Sequence, residues 1–337
     1  MANIEYVRPG RYVGNWRAPT IAVFAFLATG CGQPAEQQST ADMPKATARE
    51  PAATNTASLT VYTVNYPLAY FAARIGGDRV RVEFPAPPDG DPANWAPGEA
   101  DITAYATADL VLLNGAGYAG WINTAVLPAD KLVDTSAAFA DRLIDAGSAV
   151  THSHGDGVEH RHGDEEGNQS STAFTTWLDP QLAIAQAAAI RDSLILQQPE
   201  SAADFRAGFD SLEADLTALD QDFEAVFEAL GDTPVVFSHP VYQYLERRYG
   251  VNGISVHWEP GEAPGDDELT ALGEKMIRHP ARLMIWEGEP IAASAELIAA
   301  WDVDNVVLDP CGNRPDGGDY LQVMRQNVAN LQAALSD

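Results

Sequence analysis

The chain has 337 residues, 46% of them hydrophobic, enough to bury a sizeable core and to suggest two domains rather than a small stapled scaffold. Its 20 Lys and Arg against 48 Asp and Glu leave a formal charge of 20 − 48 = −28 at pH 7, which repels phosphate backbones and argues against nucleic acid as a partner. The same acidity attracts cations, although acidic surfaces serve mainly solubility.

Residues 1–31 read as an export signal. Arg8, Arg11 and Arg17 precede an apolar run that is too short to span a membrane comfortably, and Thr29 and Gly30 stand directly before Cys31. Small residues ahead of a cysteine resemble the bacterial lipobox. The expectation is acylation of Cys31 and an exported, membrane-anchored lipoprotein, periplasmic or at the cell surface. Residues 32–58 are rich in Ala, Gln, Thr and Pro, a composition that cannot bury enough apolar surface to fold, and they read as a flexible tether. With Cys31 acylated, Cys311 has no partner for an intramolecular disulfide.

From residue 59 onward, β-rich runs at 59–64, 80–84 and 109–113 alternate with helix-compatible stretches at 68–75 and 101–108. The pattern returns after residue 230, with strand candidates at 234–238, 283–286 and 305–309 and a helix at 267–278. Such alternation predicts βαβ units around parallel sheets, and hence an α/β lobe over 59–198 and a second over 231–337. Between them, over 199–230, Phe205, Phe209, Leu212, Leu216, Leu219, Phe223, Val226 and Leu230 step by three and four. That is one face of a long amphipathic helix, about 45 Å at 1.5 Å per residue. Asp179-Pro180 reads as a helix N-cap followed by proline at the first helical position.

The densest chemical signal lies in residues 151–167, where His152, His154, His160 and His162 form two His-x-His pairs among glycines and carboxylates. Imidazole suits borderline ions such as zinc, copper and nickel, and glycine lets a loop fold around one. The stretch is expected to be a flexible metal-capturing loop. A second group sits at the ends of the C-terminal strand candidates: His239, Glu287 and Asp309. Ligand sites in open parallel sheets form at the carboxyl ends of strands, where these three side chains can converge. His257 and Cys311 are further candidates. Each has a plain alternative, since a lone histidine is often core, an aspartate after a strand often caps a helix, and a free cysteine is often simply buried. No nucleophile elbow, His-Glu-x-x-His helix or phosphate-cradling loop is present, and nothing points to an enzyme.

Taken in order, these pieces resemble the metal-specific substrate-binding lipoproteins of ABC importers, the zinc- and manganese-type group that also includes adhesin-like members. The likeness runs from about residue 59 to the end. It is carried by Tyr66-Pro-Leu, Ile75-Gly-Gly-Asp-Arg, Ala108-Asp-Leu-Val with Asn114-Gly-Ala-Gly, Trp177-Leu-Asp-Pro, Ser238-His239, Leu308-Asp-Pro310, and Asp319-Tyr-Leu with Met324-Arg-Gln-Asn. A histidine-rich insertion just before Trp-Leu-Asp-Pro is typical of the zinc-specific members.

The resemblance implies two (β/α) lobes with parallel sheets, one long rigid helix joining them, and a cleft in which three histidines and a carboxylate hold the metal. It also implies Zn2+ as cargo, with Mn2+ or another divalent cation as the alternative, an ABC permease and its ATPase as partners, and a monomer. His239 and Asp309 match the family's C-lobe ligands. The two N-lobe histidines do not carry over, because Ala93 and Thr175 occupy their positions. Two repairs are compatible with metal: the loop histidines fold back, or the C-lobe completes the shell from Glu287, His257, Glu259 and Cys311. A cleft turned to a non-metal solute, a periplasmic metal buffer or adhesin without a transporter, and a metalloenzyme are the rival readings.

Overall fold

Polar side chains at the strand-to-helix turns set the frame of the N-terminal half. The structure, a computed structural model, describes residues 58–145, 151–153, 159–161 and 172–336. Strand β1 (Leu59–Thr63) runs into α1 (Tyr66–Gly76), whose first turn holds Pro67 and whose cap is Asn65, accepting the Leu68 N–H at 3.1 Å. Then follow β2 (Val80–Glu83), α2 (Glu99–Thr107), β3 (Leu110–Leu113) and β4 (Leu132–Asp134). The four strands pair in parallel in the order β2-β1-β3-β4. Between this sheet and α3 (Pro180–Gln197), β5 (Thr151–Ser153) pairs antiparallel with β6 (Glu159–Arg161), which puts His152 directly across from His160. His154 and His162 lie outside the described residues, as does Cys31. Helix α3 begins as the Asp-Pro dipeptide predicts, with the Asp179 side chain accepting from Gln181 N.

The long helix is α4 (Ala202–Leu230), 29 residues and about 43 Å. All eight residues of its predicted apolar stripe are buried. They pack within the chain itself, against α1 and α3 of the first lobe and against α5 (Gln243–Tyr249) and α8 (Tyr320–Ala334) of the second. Gly208 allows the closest approach: a Cβ there would lie 2.5 Å from the Ile75 carbonyl oxygen.

The second lobe is built from β7 (Val235–Phe237), β8 (Gly253–Ser255), α6 (Asp266–Arg278), β9 (Leu283–Trp286), α7 (Ala292–Ala299), β10 (Asp304–Val307) and α8 (Tyr320–Ala334). Its sheet is again parallel, in the order β10-β9-β7-β8, which is the first lobe's order read from the opposite edge. The fold is therefore two α/β lobes with parallel sheets and a helical connection. Strands β4 and β8 were not foreseen, because three residues carry too little periodicity to be read as strands.

The lobes are stitched along a polar seam. Residues Leu308 to Arg314, just beyond β10, reach the first lobe repeatedly: Tyr66 N–H donates to the Gly312 carbonyl at 3.1 Å and Trp177 Nε1–H to the Pro310 carbonyl at 2.7 Å. Asn313 Nδ2 donates to the carbonyls of Pro87 and Gly90 at 2.8 and 2.7 Å. From the other side, Tyr244 Oη–H donates to the Ala173 carbonyl at 2.7 Å and Thr175 Oγ1–H to that of Val241.

Candidate metal centre

A parallel sheet whose chain leaves a central strand toward both edges has a crevice at the carboxyl ends of the two strands flanking the reversal. In the second lobe those strands are β7 and β9. His239 follows β7 by two residues and Glu287 follows β9 directly, while Glu259 comes from the segment after β8. Ligand atoms of these three side chains lie within 4.8 Å of one another, the one group of metal-competent donors of this kind among the described residues. His239 Nδ1 stands 3.6 Å from Glu287 Oε1 and 3.8 Å from Glu259 Oε1. A tetrahedral ion with bonds of about 2.1 Å separates its donors by roughly 3.4 Å, so the spacing suits a shared cation.

Ser238, fully buried, ties the three segments together. Its N–H donates to the Ile285 carbonyl at 2.8 Å, its carbonyl accepts the Trp258 N–H at 2.8 Å, and its hydroxyl oxygen accepts the Glu287 N–H at 3.2 Å. Neighbours of all three donors are thus fixed to one residue.

The electrostatics favour a cation. Burial pushes the Glu287 carboxyl up to about 8, and the charges of Glu259, Asp91 and Asp309 add to the rise. Negative groups have been gathered where solvent cannot screen them well. Asp91 belongs to the first lobe, on the loop that also carries Ala93, and its carboxylate accepts the Ala93 N–H at 2.9 Å. Nothing in the sequence singled it out, since only the tertiary fold brings its charge toward Glu287.

The other residues named from sequence fall around this group. His257 places its ring 5.6 Å, centroid to centroid, from that of His239 and nearly perpendicular to it, at 83°. Asp309 lies outside the three-residue group: one carboxylate oxygen accepts the Cys311 N–H at 2.6 Å, and its backbone is clamped by Asn327 at 2.8 and 2.9 Å. Cys311 is 2% exposed within the hydrophobic core, at φ +56°, and burial together with Asp309 and Asp319 pushes its thiol well up, which disfavours the thiolate a metal needs. Ala93 packs against the core, and Thr175 is buried with its hydroxyl engaged by Val241. In the sequence Glu259 is one of several residues able to complete a shell. Its signal was weak because β8, the strand that delivers it, is so short.

The first lobe has the same topology but not the same chemistry. Strand register aligns Thr63 with Leu112 and Phe237 with Ile285, so Asn65 and Asn114 occupy the positions of His239 and Glu287. The two asparagines are fully buried and bonded to each other at 3.1 Å, and Gln186 Nε2 donates to the Asn114 side chain at 3.2 Å. Neutral amides stand where the second lobe has an imidazole and a carboxylate.

Comparison with known proteins agrees with this architecture. The chain is 25% identical over 283 residues to the zinc-binding protein AdcA of Streptococcus pyogenes, an alignment covering 81% of this chain and 55% of that protein. It is 30% identical over 158 residues to the high-affinity zinc uptake system protein ZnuA of Brucella abortus, covering 46% of this chain and 47% of that one. The chain thus spans about half the length of the curated relatives it matches. Among solved structures, the metal-dependent lipoprotein YcdH of Bacillus subtilis shares the fold with a TM-score of 0.69 at 20% identity, over 82% of this chain and 98% of that one. The model of one family, described as zinc-uptake complex component A, periplasmic, matches residues 61–334, and the chain belongs to that family.

Proposed function

We propose that this chain is an extracytoplasmic carrier of divalent cations, zinc foremost, that hands its cargo to an ABC importer. The observation that carries the reading is the convergence of His239, Glu259 and Glu287 at the switch point of the second sheet, with the Glu287 carboxyl raised by burial and then by acidic neighbours. Family membership and the zinc-binding and zinc-uptake names of the relatives support zinc. One imidazole and two carboxylates form a mixed, oxygen-rich set that zinc accepts, and Mn2+ is the second ion to test. His239, Glu259 and Glu287 would hold the ion directly, with Asp309 and His257 in the surrounding shell and Cys311 in a packing role.

Acylation at Cys31 would keep the carrier at the membrane, and the histidine pairs of residues 151–167 would raise the local concentration of metal. Among the described residues no helix is long and apolar enough to cross a membrane.

Calorimetric titration with Zn2+ tests the reading. The wild-type chain is expected to bind more tightly than micromolar, and His239→Ala to lose at least about tenfold, the scale of one lost ligand. Deleting residues 151–167 should slow loading and leave binding at the second lobe in place. Wild-type binding no stronger than micromolar would sink the proposal.

A further inference from the structure

In the family resemblance, position 175 belongs to a ligand histidine, yet in this chain its side chain does something else. Thr175 is 4% exposed, on the first-lobe side of the seam, and its hydroxyl donates to the Val241 carbonyl of the second lobe. Val241 in turn donates its N–H to the His239 carbonyl at 2.9 Å. That bond, two residues apart with Pro240 at the centre, closes a tight turn whose middle φ is preset by the proline ring. Displacing Val241 therefore displaces His239. The hydroxyl proton is committed to a backbone carbonyl, and a neutral hydroxyl is a poor zinc ligand in any case.

We propose that Thr175 is a positioning residue for the cargo site: the first lobe, in place of a ligand, supplies a hydroxyl strut that holds the His239 turn where its imidazole meets Glu259 and Glu287. This rests on the carrier reading above. It also assigns the seam a part in metal retention, because the lobes cannot separate at Thr175 without loosening His239.

The rest of the seam survives loss of this one bond. Tyr244 and Trp177 bridge the lobes on either side through the Ala173 and Pro310 carbonyls, so a variant at position 175 keeps its lobes joined.

The test compares wild type, Thr175→Val and Thr175→Ser in the full chain, reading Zn2+ affinity by competition with a chelating dye, Zn2+ dissociation by stopped flow, and the melting temperature of the metal-free form. Valine keeps the volume and removes the donor. The expected result is about tenfold weaker binding by Thr175→Val, mostly as faster dissociation, and binding within about twofold of wild type by Thr175→Ser. If Thr175→Val does not fold, Thr175→Ala, which lacks both the donor and any metal-binding atom, takes its place with the same direction of change. Unchanged affinity and dissociation in the donor-less variant, even with a lower melting temperature, overturns the strut while leaving the carrier reading intact. Failure of the wild type to bind Zn2+ overturns both, so the two failures are distinguishable.

Discussion

Glu287 concentrates the conflict that makes the site. A carboxyl pushed up to about 8 by burial and by Glu259, Asp91 and Asp309 keeps its proton longer in the folded chain than in the unfolded one. Between the ordinary carboxylate range near 4.5 and about 8, the folded state binds more protons than the unfolded state, so its contribution to metal-free stability falls as pH rises through that window. Glu287→Gln removes the charge and keeps the shape. At pH 8.5 the metal-free variant is expected to be more stable than wild type by about 2 kcal/mol, with the difference vanishing below about pH 5, and its Zn2+ affinity is expected to fall at least about tenfold. Urea denaturation at the two pH values and a dye-competition titration read these outcomes. A variant that binds zinc as well as wild type would remove Glu287 from the site.

At the scale of elements, α4 is where sequence pattern and structure agree most closely. Its 3.6-residue stripe was legible because the helix is long and one-sided, and the same residues are the buried ones. What the pattern did not reveal was the partner at each turn. Gly208 would ordinarily be a weak point, and Gly to Ala in an open helix gains about 1 kcal/mol. Here the added methyl would meet the Ile75 and Arg74 carbonyl oxygens at 2.5 and 2.8 Å, and backbone cannot swing aside. Gly208→Ala is therefore expected to destabilise the chain by about 1–3 kcal/mol through forcing α1 and α4 apart, visible as a lower thermal midpoint. A higher midpoint would show that the helices have room.

For the whole molecule, both lobes meet the connecting helix at a charged clasp. Asp220 of α4, 5% exposed, accepts from Gln181 Nε2 at 2.8 Å at the entrance of α3, and from Arg248 Nη2 at 2.6 Å and the Tyr249 hydroxyl at 2.9 Å in α5. Burial alone would push its carboxyl up, but the bonds from Arg248, Gln181 and Tyr249 outweigh burial and hold it below the ordinary range. A depressed carboxyl stabilises the fold above its unfolded value of about 3.9 and loses that contribution as pH falls through the folded value. Asp220→Asn should cost about 2 kcal/mol at pH 7 in urea unfolding, and the gap to wild type should close below about pH 4. A gap independent of pH would mean that the amide satisfies the same partners.

Legible without any tertiary information are the two α/β lobes, the helix between them, the cap at Asp179, and the places where histidines and strand-end carboxylates concentrate. These are local properties, written in periodicity, capping residues and composition, and they hold whatever the distant partners. It takes the folded chain to bring His239 and Glu287 to Glu259 while Asp309 turns to the Cys311 N–H, to bury Cys311 in the core, to carry the charge of Asp91 over from the other lobe, and to set the Thr175 hydroxyl on the Val241 carbonyl. Those facts depend on which short strands lie side by side and on where a seam closes, and three-residue strands such as β8 leave too little pattern in the sequence to say so.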